Sequence, residues 1–318
     1  DMTDMQDDVF KTPVNKIRLF EHGAPGSQNL KLTRKYYTED MPDGRVKHIV
    51  QNITDPDIVP YIPDGIGNST DRKRIPAVLI IPGGAFRRLV YNFEGEDVAK
   101  WLNSMGIAAF VLECRLPSDE HDNAEDVPLI DAMRAMRVIR GRAQEFGIDE
   151  AKIGVMGFSA GGFMAALLST AYESDVYADY KYKDEYDKLS ARPDFAVCSY
   201  PVISIDDCIE AGKRYMSEEQ VLERISDSKA KILHKYNPDK LVRPDMPPVF
   251  ICETDDDRTT LSENSVGFYM AARKAGVSAE LHIFRTGGHG YGCGDDFAQT
   301  GEWKVLFTKW IKSIGIIS

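Results

Sequence analysis

The sequence has no paired cysteine spacing. Its five cysteines, Cys114, Cys198, Cys208, Cys252 and Cys293, are scattered and odd in number, and no two form a CxxC pattern. This argues against the disulfide frame of a small secreted domain and against a cysteine zinc site. Three of them fall in apolar, strand-like runs, so they read as buried free thiols in a reducing compartment. The expectation is a cytoplasmic protein, or an exported one if a leader has been removed. No apolar run is long enough to span a bilayer, and no charged-then-apolar leader stands in the residues given. Positive charge is in short supply. The 39 Lys and Arg face 50 Asp and Glu, a net charge of −11, which argues against nucleic acid or an anionic membrane as partner. The 43% hydrophobic content is enough to fill a sizeable core, and 318 residues suit one large α/β unit with an insertion.

Along the chain, residues 11–63 carry strand-like pieces at 46–50 and 58–62, broken by Pro and Gly turns. These suit antiparallel edge strands of an N-terminal segment, 1–75, whose first eight residues are acidic and frayed and in which a polar link, 65–74, follows the strands. The texture then changes. Residues 77–81 and 107–112 are continuous apolar runs, as expected of strands covered on both faces. Helical spacing follows at 96–104, 129–146, 160–168, 261–275 and 302–314, and further strands at 195–200, 249–252 and 280–284. Alternation of this kind predicts a single α/β domain, 1–318, with a mostly parallel central sheet and helices on both faces. One interval breaks the rhythm. Residues 203–245 are polar and helix-prone and read as a small helical lid or platform, or as a solvated excursion. The tyrosine-rich piece 172–186 before it reads as packing or as a sugar platform.

In such a sheet, reactive groups gather beyond the carboxyl ends of the strands. After the strand at 152–156 comes Gly157-Phe158-Ser159-Ala160-Gly161, a G-x-S-x-G turn opening a helix. Small neighbours let strand and helix close on each other, and the strain lifts the serine hydroxyl out of the sheet. After Ile81 comes Pro82-Gly83-Gly84-Ala85-Phe86, whose Gly84 and Ala85 amides, with that of Ala160, can form an oxyanion hole. After Cys252 comes an acidic run, Glu253 to Asp257; no histidine stands beside it at ligand spacing, so no metal site is implied. After Phe284 comes Gly287-Gly288-His289-Gly290, a histidine in a glycine loop. His22, His48, His121, His234 and His282 have no such setting and read as structural. Nucleophile, acid and histidine follow in the order of the α/β-hydrolase fold. Spacing alone leaves Asp255, Asp256 and Asp257 open as the acid.

These motifs, together with Glu94-Gly95-Glu96, Arg115-Leu116-Pro117, Arg192-Pro193-Asp194-Phe195, Tyr200-Pro201-Val202, Pro247-Pro248-Val249-Phe250 and Glu263-Asn264-Ser265, resemble the α/β-hydrolase esterases of the acetylxylan-esterase type, related to feruloyl-esterase-like and hormone-sensitive-lipase-like groups. The likeness runs from about residue 46 to the C-terminus. It implies Ser159 as nucleophile, His289 as base, Asp256 as acid, and Gly84, Ala85 and Ala160 as oxyanion donors. It also implies a serine ester hydrolase that needs no cofactor and deacetylates xylan fragments or similar sugars. The alternatives are a feruloyl or general short-chain esterase, and an inactive fold used for binding. A prolyl-oligopeptidase-like peptidase is disfavoured, since that group carries a large N-terminal propeller. Three departures stand out. Cys252 replaces a frequent histidine, Asp257-Arg258-Thr259 replaces a proline-plus-valine pattern, and Ala85 replaces a frequent glycine, which is expected to narrow the acyl side.

Overall fold

Two apolar runs set the architecture, because neither can leave a face to water. The computed structural model describes residues 10–66, 73–225, 227–295 and 298–318; the acidic opening and most of the polar link lie outside them. The strands are β1 (Ile17–Arg18), β2 (Lys35–Asp40), β3 (Val46–Gln51), β4 (Asp57–Tyr61), β5 (Ile75–Ile81), β6 (Leu89–Val90), β7 (Ala108–Glu113), β8 (Ile148–Phe158), β9 (Ala196–Ser199), β10 (Val249–Thr254) and β11 (Ala279–Phe284). Eight of them form one sheet in the order β1-β4-β7-β5-β8-β9-β10-β11. From β7 to β11 every pairing is parallel; β4 and β1 extend that edge antiparallel. Helices cover both faces, and the protein has the α/β-hydrolase fold that the alternation predicts.

Details differ from the sequence reading. The pieces at 46–50 and 58–62 do not share a sheet: β4 joins the main sheet, whereas β3 pairs with β2 and β6 in a separate antiparallel one. The single helix expected over 129–146 is two, Val127–Gly141 and Ala143–Phe146, broken at Arg142 (φ −105°, ψ 14°) and closed by a left-handed Gly147. The interval 203–245 holds helices Ile205–Lys213, Glu218–Arg224 and Asp227–Lys235. Serine hydroxyls at 204 and 217 cap the first two. The tyrosine-rich piece packs inward. The Tyr180 hydroxyl donates to the Gly23 carbonyl (2.8 Å), that of Tyr177 donates to Asp187 Oδ1 (2.8 Å), and the Arg134 guanidinium lies between the Phe20 and Tyr186 rings.

Buried ion pairs fasten the N-terminal segment to the sheet. Arg34 Nη1 lies 2.6 Å from both Asp57 Oδ2 on β4 and Glu113 Oε2 at the end of β7, and Lys16 Nζ lies 2.8 Å from the same Glu113 oxygen. Deeper in, Arg115 grips Asp131 of the following helix with Nε and Nη2 and reaches Ser27 Oγ at 2.8 Å. Such pairs add little net stability over apolar packing, but removing one partner strands a buried charge.

The order of the strands fixes where the turns meet. The chain leaves β5 for β7 on one side and returns to β8 on the other, so the crevice beyond the strand ends opens between β5 and β8. The turns after those two strands touch. A Cβ on Gly161 would sit 1.9 Å from the Ile81 carbonyl oxygen, and one on Gly157 would sit 1.9 Å from the Gly161 carbonyl oxygen. Gly161→Ala is therefore expected to cost about 1–3 kcal/mol or more in urea melts, as overpacking against backbone does. Gly267, exposed within the helix Ser262–Lys274 and with nothing within 4 Å of such a Cβ, is the contrast. Gly267→Ala should gain about 0.5–1 kcal/mol.

Candidate active site

Ser159 follows β8 directly and precedes the helix Ala160–Ala171, with φ 55° and ψ −117°. An L-residue in that region is strained, and strain of this kind persists only where the surroundings enforce it. The Ser159 amide donates to the Ser199 carbonyl (3.0 Å), and its carbonyl accepts from Phe163 (3.0 Å) and Val202 (3.3 Å). The backbone is thus held on both sides while the hydroxyl points outward. Ser159 Oγ lies 2.8 Å from His289 Nε2.

His289 stands on the loop after β11, where Gly287, Gly288, Gly290 and Gly292 all have positive φ. Its Nδ1 lies 2.7 Å from Asp257 Oδ2. The acid facing the histidine is therefore Asp257, not Asp256, which corrects the alignment-based expectation. The cause is the turn after β10. The Asp255 amide continues the ladder to the Phe284 carbonyl (2.8 Å), and the Asp257 amide closes back on the Thr254 carbonyl (3.4 Å), turning residue 257 inward. Asp256 is left exposed, and its Oδ1 accepts from the Gly288 amide (2.8 Å), bracing the histidine loop.

Asp257 is buried, and burial works against its charge. Hydrogen bonds outweigh that cost: His289 on Oδ2, and the amides of Thr260 and Thr259 on Oδ1 (2.8 and 2.7 Å), hold its pKa below the ordinary carboxylate value. The Thr260 hydroxyl adds a bond to Oδ2 (3.0 Å). With Nδ1–H donating to the Asp257 carboxylate, Nε2 is free to accept from the serine hydroxyl. Beside it, burial first and then the Asp257 charge push the carboxyl of Glu253 up to about 9, so it is protonated at neutral pH. Thr260 had no motif to announce it, and Glu253 stood out only as the first residue of the acidic run.

The Gly84–Ala85 turn, expected to supply oxyanion donors, lies opposite. Gly84 (φ 146°) and Ala85 (φ 57°) line a cavity of about 470 Å³ together with Ser159, Thr259 and His289, and hairpin residues Met41, Lys47 and Gln51 complete its wall. A second cavity, of about 560 Å³, adjoins it across Phe93, His289 and Gly290, with Asp43, Arg45 and Asp97 on its rim. Ala85 is exposed to the cavity of about 470 Å³. The tight space is on the other face of the turn, a crevice of about 20 Å³ among Gly84, Phe86, Leu89, Ala160 and Met164. The linings of these three spaces come from outside residues 203–245. All five cysteines are free thiols, four of them buried.

A proton can pass from Ser159 to His289 while Asp257 steadies the resulting imidazolium, and charge developing on an attacked carbonyl faces the turn amides and the N-terminus of the Ser159 helix.

The sequence model of the BD-FAE family matches residues 66–271. An acetylxylan esterase of Xylanibacter ruminicola is 31% identical over 240 residues, 75% of this chain and 45% of that protein. An endo-1,4-beta-xylanase B of Butyrivibrio fibrisolvens is 30% identical over 270 residues, 82% of this chain and 40% of that protein. The chain thus spans less than half the length of these curated relatives. Among solved structures, an acetyl ester-xyloside bifunctional hydrolase from Caldicellulosiruptor lactoaceticus superposes with a TM-score of 0.72 at 35% identity, covering 95% of this chain and 97% of that one. The carboxylesterase Cest-2923 of Lactobacillus plantarum shares the fold at a TM-score of 0.65 and 21% identity, over 90% of this chain and 99% of its own.

Two outcomes test the arrangement. Ser159→Ala should lower kcat on an acetyl ester by on the order of 10⁶, and Asp257→Asn by roughly 10⁴, in steady-state assays of purified protein. Asp256→Asn should cost far less; the reverse ranking of the two acids would show that the His289–Asp257 contact is not used. The second outcome concerns pH. Glu253 keeps its proton in the folded protein up to about 9 but loses it near 4.5 when unfolded. Between those values the folded state binds the extra proton, so this group's contribution to stability falls as pH rises. Glu253→Gln, which keeps the shape without the titration, should flatten the alkaline loss of stability in denaturation curves recorded from pH 6 to 9.

Proposed function

We propose that this chain, which belongs to the BD-FAE family, is a serine carboxylic-ester hydrolase that removes acetyl groups from xylan fragments or similar sugars. The observation that carries the proposal is the continuous hydrogen-bonded line Ser159–His289–Asp257, at 2.8 and 2.7 Å, facing the turn at Gly84 and Ala85. His289 takes the serine proton as Oγ attacks the ester carbonyl. The amides of Gly84, Ala85 and Ala160 receive the oxyanion, and His289 returns the proton to the departing sugar hydroxyl. Water then enters, His289 removes its proton as the water oxygen attacks the acetyl carbonyl, and the proton passes to Ser159 Oγ as the acyl bond breaks, releasing acetic acid that ionises to acetate. No cofactor is required.

The choice of substrate draws support from two sides. Three relatives at 30% identity or more are named as an acetylxylan esterase, an endo-1,4-beta-xylanase and an acetyl ester-xyloside bifunctional hydrolase. The shape of the site agrees. The cavity of about 470 Å³ that holds Ser159 and the adjoining one of about 560 Å³ meet at His289 and leave room for sugar units.

An acyl series on nitrophenyl esters, run beside acetylated xylo-oligosaccharides, tests this reading. The kcat/KM should fall from acetyl to butyryl by about 10-fold or more per added methylene, within the range such pockets reach. Acetate should be released from the oligosaccharides. A preference for feruloyl or octanoyl esters over acetyl ones would remove the deacetylase assignment and leave a general esterase. Failure of a fluorophosphonate to label Ser159 would remove the enzyme.

A further inference from the structure

Glu94 is a buried carboxylate that the proposed chemistry does not use. It sits in a π-helical turn, Asn92–Glu96, closed by the Glu96 amide on the Tyr91 carbonyl (2.8 Å). Wide turns of this kind recur at functional sites because they push one side chain out of helical register. Here the side chain turned inward reaches two loops at once. Oε2 accepts from the Gly83 amide (2.8 Å), one residue before the oxyanion donors, and Oε1 accepts from the Tyr200 hydroxyl (2.9 Å). The Tyr200 oxygen in turn accepts from the Gly292 amide (3.0 Å) on the histidine loop. The Tyr200 ring stands edge-on to the His289 imidazole, 5.0 Å between centroids. Glu94 also borders the cavity that holds Ser159.

Every donor and acceptor in this chain is used once when Glu94 is ionised. Gly292 N–H donates to Tyr200, Tyr200 O–H donates to Glu94, and Gly83 N–H donates to the other oxygen. Burial pushes the Glu94 pKa up, and the His289, Tyr200, Gly83 and Lys47 groups facing it pull the other way. Tyr200 itself has φ 36°, a strained backbone held by its amide on the Cys252 carbonyl (2.7 Å) and its carbonyl on the Thr260 hydroxyl (3.2 Å).

We propose that Glu94 and Tyr200 are positioning residues: through one hydrogen-bonded line they hold the oxyanion turn and the His289 loop at a fixed separation across Ser159. The proposal rests on the serine-hydrolase reading above. A misplacement of about 1 Å in such a constellation costs on the order of 10²-fold in rate, so the bridge acts on turnover and leaves ground-state binding nearly untouched.

The test compares wild type, Glu94→Gln, Tyr200→Phe and the double variant on 4-nitrophenyl acetate. Fluorophosphonate titration counts competent sites, and circular dichroism melts confirm folding. Each single variant is expected to lower kcat per titrated site by about 10–100-fold with KM changed by less than about threefold, and the double variant should lose little more, because both break the same line. Unchanged kcat per site with fewer titratable sites would make the network merely structural and overturn the proposal, as would fully multiplicative losses. If Glu94→Gln fails to fold, Tyr200→Phe, which removes one oxygen, carries the test alone. Absence of labelling in the wild type would instead bring down the serine-hydrolase reading.

Discussion

One backbone contact governs the geometry of the site: the carbonyl of Ile81, at the end of β5, against Gly161 in the first turn of the helix after β8. Strand order brings the two turns side by side, but only the missing side chain lets them close. From that contact the serine inherits its strained φ and its outward hydroxyl, and the Gly84–Ala85 segment its place opposite. The mutual approach of two glycine-rich turns matters more here than any single side chain, since it sets the distance across which charge is to be stabilised.

Around that contact the residues divide by how they are held. Ser159 and its facing turn are fixed by backbone. The histidine is fixed by side chains: Asp257 on one nitrogen, Tyr200 at its edge, Asp256 bracing the loop through Gly288. Loops rich in glycine have little rigidity of their own, so the imidazole depends on these external braces. A protonated Glu253 beneath the acid keeps a second negative charge away from Asp257, so that the carboxylate stays a stable hydrogen-bond acceptor in a buried setting.

Much of this was legible in the residues, and the gaps have physical causes. The β5, β7 and β8 strands are continuous apolar runs, and the glycines after them punctuate the turns, so the fold and the places of Ser159, His289 and the Gly84 turn could be read directly. The acid could not. Three consecutive aspartates share one spacing, and which one faces inward depends on a turn closed by the Asp257 amide and on the Thr259 and Thr260 amides that receive its side chain. The extent of β2 was hidden because its residues alternate between exposed and half-buried without an apolar face. Glu94 could be singled out as part of a motif but not given partners, because Gly83 and Tyr200 lie 11 and 106 positions away. Contacts of that range are set by topology, which no local pattern encodes.

The hairpin formed by β2 and β3 has a bearing on how such a protein can diversify. Met41, Lys47 and Gln51 wall one cavity and Asp43 and Arg45 rim the other, yet all five precede residue 66, where the family's shared stretch begins. The hairpin is thus distant in sequence from the turns that carry Ser159, Asp257 and His289, and the Arg34 and Lys16 ion pairs to Asp57 and Glu113 fasten its segment to the sheet. Changes in the hairpin leave the strained serine turn untouched. Substitutions there can reshape part of the cavity walls without disturbing the backbone contacts that hold Ser159.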